Sequence, residues 1–160
     1  MITLYHGSNV SIGTVDLSFS RKGKDFGRGF YLNPDSKQAM EMAMRTTQRM
    51  LEGKPTVTAF LFDDALLEEN SPLKVKVFKE YSKEWAEFVL LNRSNTSAVP
   101  AHEYDVVIGP IANDTVGLQM RRFIQGYISM ERMIEELRFK KPAIQYFFGT
   151  ESALRCLKKI

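Results

Sequence analysis

Asp25-Phe26-Gly27-Arg28-Gly29-Phe30-Tyr31-Leu32, read with the earlier Leu4-Tyr5-His6-Gly7-Ser8, decides how this 160-residue chain folds. Each segment sets a polar ring among strand-forming apolar residues beside glycine, which is how a strand end brings its backbone close to a flat ligand. A lone histidine on an apolar strand is ordinarily a satisfied core residue, and either segment alone reads as structure. Their occurrence together, in this order, points to a cleft.

Outward from these segments, Ile2 to His6 and Gly29 to Leu32 read as short strands. Asn33-Pro34 then supplies a helix cap and a first helical residue. Ala39, Met40, Ala43, Met44, Met50 and Leu51 recur near helical spacing, so the sequence predicts that this face packs on a core. Val57 to Phe62 and Leu73 to Val77 read as strands separated by an acidic, turn-like stretch. Tyr81, Trp85, Phe88, Val89 and Asn92 fall on one helical stripe, with Trp85 as its core anchor.

Tyr104 to Ile108 reads as a buried strand stopped by Gly109-Pro110, and a helical stretch from Thr115 to Leu137 is divided near Gly126 and Ser129. Ile144 to Phe148 is a last strand, after which Thr150 caps a short helix carrying Ala153, Leu154 and Leu157. Strands and helices interleave without a regular strand-helix repeat, which predicts a single α+β domain over residues 1–160. The glycines at 27 and 29 lack dinucleotide-fold spacing and do not open a helix directly, so a Rossmann reading is set aside.

Composition narrows the function classes. The excess of 22 Lys+Arg over 19 Asp+Glu is small. The densest basic cluster, Arg121, Arg122, Arg132, Arg138, Lys140 and Lys141, is interrupted by Glu131, Glu135 and Glu136, as on a solvated helix. Cys156 is the only cysteine, which excludes an intrachain disulfide and a cysteine zinc cluster. Neither His6 nor His102 has a partner at metal-ligand spacing, so no metal is expected. No basic start precedes an apolar run, and no apolar stretch approaches the ~18 residues of a membrane span. The chain reads as cytoplasmic, with no membrane partner.

With these residues in view, the sequence resembles the ADP-ribosyltransferase superfamily, in the branch of diphtheria toxin and the poly(ADP-ribose) polymerases. That branch carries a His, then a Tyr, then a late Glu. His6-Gly7-Ser8 looks like its first motif, and Gly27-Arg28-Gly29-Phe30-Tyr31-Leu32 like its second. More narrowly, the chain resembles small bacterial toxin-like members that occur beside an antitoxin. The resemblance implies split antiparallel β-sheets with flanking helices and NAD as co-substrate. By the same resemblance His6 would bond the adenosine-side ribose, with Ser8 assisting. Gly7 would meet the nicotinamide amide through its backbone, and Tyr31 would stack on the nicotinamide ring. Gly29 and Phe30 belong to the same motif. Arg28 is a candidate phosphate contact, an ordinary loop arginine being the alternative, and Asp25 caps or turns the loop.

Two departures qualify the resemblance. At the position of the late glutamate the segment Ala143 to Phe148 supplies Gln145, which accepts a hydrogen bond but brings no negative charge. This implies transfer of single ADP-ribose units rather than chain growth. Glu151 is a nearby carboxylate, although in a first helical turn capping is its default role. Where relatives place a second aromatic, eleven residues after Tyr31, this chain has Met42, a looser clamp. Gln38, one turn earlier, faces either the amide or solvent.

The expectation is therefore a mono-ADP-ribosyltransferase with His6, Tyr31 and Gln145 as catalytic residues. It would modify a protein or nucleic-acid target and be neutralised by an antitoxin protein. The competing class is a catalytically weak or inactive module that keeps the cleft to bind a nucleotide or a protein. Hydrolysis of NAD to free ADP-ribose and an RNA-directed, phosphate-removing relative are further alternatives.

Overall fold

The computed structural model describes residues 1–160. In chain order the elements are β1 (Ile2–Ser8), β2 (Phe30–Leu32), α1 (Ser36–Met50), β3 (Thr56–Phe62), β4 (Val75–Val77), α2 (Lys83–Ser94), β5 (Val106–Pro110), α3 (Asp114–Ile124), α4 (Met130–Leu137), β6 (Ile144–Phe148), α5 (Glu151–Leu154) and β7 (Leu157–Lys159). Short 3-10 turns at Leu17–Phe19 and Asp64–Leu67 punctuate the loops.

The strands form two sheets, ordered β1-β3-β7 and β2-β6-β5-β4. All pairings are antiparallel except β4 with β5. The sheets meet where Tyr5 of β1 bridges Asn33, just beyond β2, with backbone bonds of 2.8 Å in both directions. That seam sets His6 beside Tyr31.

Strand alternation builds the core on both faces of the second sheet. Phe30, Leu32, Val106, Ile108 and Phe148 point toward the first sheet and bury against Leu4, Phe60 and Phe62. Val107 and Phe147 point the other way, where Phe26, Trp85, Val89, Met120 and Met133 complete a second cluster. α2, α3 and α4 cover that face, and Trp85 is fully buried with its indole N–H on the Pro110 carbonyl at 3.1 Å.

α1 lies against β1 and β3, and the approach is close because glycine and alanine face each other. A Cβ on Gly7 would overlap the Ala39 carbonyl and stand 2.8 Å from the Ala43 nitrogen. Only Ala39 and Ala43 of α1 are buried; Met40, Met44, Met50 and Leu51 are exposed, contrary to the helical-spacing expectation. The small residues, not the long ones, mark the packed face, because strand backbone occupies the space a methionine would need.

Other boundaries differ for local reasons. The cap of α1 is Asp35, whose side chain accepts from the Lys37 N–H, while the Asn33 side-chain oxygen accepts from the Asp35 N–H. Gly109 and Pro110 continue β5 by pairing with Gln145 and Ile144 rather than stopping it. Leu157 does not extend the last helix: it opens β7, which pairs with Phe62 of β3. Thr150 caps α5 as expected, and Gly126 with Ser129 divides α3 from α4. No helix is long and apolar enough to cross a membrane.

Candidate functional site

His6 stands on β1 at the seam, stacked on the buried Phe30 ring with 4.5 Å between centroids. Its Nδ1 lies 2.8 Å from the Tyr31 carbonyl oxygen. A carbonyl only accepts, so Nδ1 carries the proton and Nε2 presents a lone pair. Burial lowers the His6 pKa, the Tyr31 carbonyl opposes this, and the Lys24 charge lowers it further. The neutral acceptor form is therefore the one displayed near neutral pH.

Tyr31 is locked by its hydroxyl, which donates to the Gly27 carbonyl at 2.7 Å and accepts from the Phe26 N–H at 3.0 Å. Burial drives its pKa above the ordinary tyrosine value. Gly27 makes this possible with φ +94, a conformation side chains disfavour. The phenol ring packs edge-on to Phe147, its cross-strand partner. Over the Tyr31 ring lies the Lys24 ammonium, 4.7 Å from the centroid.

Lys24 belongs to a cationic group that the sequence reading missed. Desolvation, followed by the positive charges of Arg21 and Arg49, lowers its pKa. No carboxylate lies within ion-pair distance of Arg21, Lys24 or Arg49. The Lys24 ammonium is thus the cation at the His6–Tyr31 pair, with the charges of Arg21 and Arg49 felt at Lys24, an arrangement suited to an anionic ligand.

Gln145 extends from β6 on the same strand face as Phe147, and its Nε2 donates to Asp25 Oδ2 at 3.1 Å. Asp25 is more than the turn residue expected. Its Oδ1 accepts from Arg93 at 2.8 and 2.7 Å, and its Oδ2 also accepts from the Ala112 N–H at 3.2 Å. The carboxamide is therefore tied to a carboxylate already neutralised by a guanidinium.

The remaining expected residues divide. Gly7 is explained by its contact with α1, and Ser8 Oγ makes only a 3.3 Å bond to Asn9 Oδ1. Phe30 does not face a ligand: it is 8% exposed and holds the His6 ring from behind. Gly29 is required because a Cβ there would stand 2.8 Å from the Phe147 ring atom Cδ2. Gln38 is not turned to an amide through its oxygen, which accepts from Asn33 Nδ2 at 2.8 Å. Met42 is 49% exposed on α1, and the cover on Tyr31 is Lys24 instead. Arg28 donates to the Ser20 and Ser18 carbonyls at 3.2 and 3.4 Å. Glu151 lies in the first turn of α5, directly after the Thr150 cap.

A cleft of about 360 Å³ opens elsewhere, along Phe26, Gly27, Asn92, His102, Tyr104 and Phe147, without His6, Tyr31 or Gln145 among its lining. Of the expected site residues only Arg28 reaches it.

Across residues 2–159 the chain matches the family described as "Protein of unknown function (DUF3990)", and it belongs to that family. No curated protein and no solved structure matches it.

Proposed function

We propose that this member of the DUF3990 family is an NAD-dependent mono-ADP-ribosyltransferase with the split-sheet fold of that superfamily. The carrying observation is the His6–Tyr31 pair: a free imidazole acceptor is bonded to the backbone carbonyl of a residue whose aromatic ring is clamped, with the Lys24 ammonium over that ring. His6 Nε2 would accept from a ribose hydroxyl, the Tyr31 ring would hold the planar cationic nicotinamide once Lys24 withdraws, and the cations would meet the pyrophosphate. The bond between nicotinamide and ribose breaks with its electron pair leaving on nicotinamide. A nucleophile of the target bonds to the same carbon and releases its proton to water. The chain's own contribution is positioning and charge stabilisation. As an NAD-consuming toxin the protein would need a neutralising protein partner covering the face near Tyr31.

Incubation with NAD labelled in its adenylate and a cell extract should give a labelled protein or nucleic acid, lost with His6→Ala or Tyr31→Ala. Absence of label refutes transfer. A second reading, a module that binds without chemistry, is favoured by one observation: Gln145 is engaged with Asp25, whose charge Arg93 neutralises, so no free carboxylate faces the ribose. That reading predicts nucleotide binding in calorimetry without nicotinamide release, and steady release excludes it.

A further inference from the structure

We infer that the cleft between the 22–28 loop and the 95–104 loop is a separate binding site for a planar ring bearing an N–H donor and an anionic tail, in the manner of a purine mononucleotide. Its inner wall is built from the buried rings of Phe26 and Phe147, with His102 and Tyr104 at the side. Apolar aromatic faces around a few convergent polar atoms are the usual composition of a small-molecule site, and about 360 Å³ is enough for a ligand of that size.

The polar atom is on Asn92, which is only 2% exposed. Its Nδ2 donates to the Phe88 carbonyl at 2.8 Å, which assigns the amide orientation and leaves Oδ1 without a donor. That oxygen is not sealed in, since no buried side-chain N or O lacks a partner. It faces Gly27, where a Cβ would come within 2.9 Å of it, so the glycine keeps the approach open. An asparagine oxygen that no protein donor engages, opening on a cleft lined by rings, is placed to accept an N–H from a ligand. His102 does not compete for the role of acceptor: its Nε2 donates to the Phe26 carbonyl at 2.7 Å and its Nδ1 accepts from the Tyr104 N–H at 3.1 Å. It is a wall, and the site binds rather than catalyses.

The mouth is cationic. Lys22 donates to the Thr96 carbonyl at 2.8 Å, and Arg28 donates only to backbone carbonyls, so neither charge is neutralised. Glu103, the acidic residue on the rim, is already paired with Lys74. A phosphate on the ligand's tail suits this rim. Gly27 contributes to the cleft and also accepts the Tyr31 hydroxyl, so an occupant would sit one hydrogen bond from the Tyr31 ring. The inference does not depend on the transferase reading.

The test is a proton–nitrogen NMR titration of the full chain with AMP, adenosine and inorganic phosphate. AMP should shift the Asn92 side-chain amide and the Gly149 backbone amide, and adenosine should bind at least tenfold more weakly. Asn92→Leu and Val99→Trp should each weaken AMP at least tenfold. Val99 is 72% exposed on the rim, so the second variant keeps the fold whatever the first does. The AMP-induced shifts of Asn92 and Gly149 should persist in His6→Ala, whatever that variant does to AMP at the His6–Tyr31 site. The inference is overturned if millimolar AMP shifts neither amide, if phosphate alone binds as well as AMP, or if His6→Ala abolishes binding that Val99→Trp retains. Because His6→Ala also reads transfer, the two proposals fail separately.

Discussion

Lys24→Ala tests whether the Tyr31 ring is a site for a planar cation. In the resting protein the Lys24 ammonium already lies 4.7 Å from the ring centroid, so an incoming cationic ring must displace it. An ammonium over an aromatic face contributes about 0.5 to 2 kcal/mol, the upper end applying where water is excluded. Removing that competitor should raise affinity for a cationic ring by about two- to thirtyfold. Calorimetry with the cation 1-methylnicotinamide, compared with uncharged benzamide, separates two contributions: both probes gain from the vacated ring face, and the cation gains further because a displaced ammonium no longer repels it. Whole NAD should gain less, because its pyrophosphate loses a cation. The variant should also raise the His6 pKa, which the Lys24 charge now lowers, and a proton NMR titration of the imidazole reads this independently of any ligand. Weaker binding of 1-methylnicotinamide by Lys24→Ala, or a gain no larger than that of benzamide, refutes the reasoning.

Gly7→Ala should destabilise by about 1–3 kcal/mol or more, lowering Tm by about 3–12 °C, because the added carbon meets helix backbone that no rotamer change relieves; an unchanged melting curve contradicts the packing of α1 on β1. Gln145→Glu alone should not raise nicotinamide release, since the new acid faces Asp25 across the present 3.1 Å bond and stays protonated. Combined with Asp25→Asn, whose amide can donate to it, the glutamate should raise release on the order of tenfold or more, and equal rates for the single and double variants dismiss this account. Burial lowers the pKa of both His6 and His102, so the unfolded chain takes up protons first on acidification. Stability should therefore be full above about pH 6.5 and fall by up to ~1.4 kcal/mol per pH unit per histidine as pH drops toward the folded values. Urea denaturation from pH 8 to 5 checks the slope, which His102→Gln should make shallower.

The aromatic and β-branched run Val57 to Phe62, the strand Ile144 to Phe148 and the Thr150 cap were legible because strand composition and capping are local properties. The exposed methionines of α1 were misread for a reason equally physical: helical spacing says which residues share a face, not which face a sheet will cover. β7 was invisible because three residues, two of them lysine, carry no strand pattern until β3 offers an edge. At the site, the rings were legible from their glycine neighbours. Lys24, Arg21 and Arg49 were not, since 25 residues and more separate the loop from the end of α1, and only the fold gathers their charges. Asp25 likewise gave a turn signal while its partners Arg93, Ala112 and Gln145 lay far along the chain.

That last network bears on how a glutamine can occupy the position. A carboxylate at 145 would stand against Asp25, and two acids in contact cannot both ionise. The carboxamide instead donates to Asp25, so loop 24–28 is tied to β6 through Gln145 and to α2 through Arg93. The same loop carries Lys24 onto the Tyr31 ring and Gly27 onto its hydroxyl. One segment therefore fixes the aromatic face, covers it with a cation and sets what residue 145 can be. Glutamine at 145 fits the placement of Asp25, and if the protein is the transferase proposed above, the charge missing at 145 would have to come from a carboxylate freed of Arg93 or from the target itself.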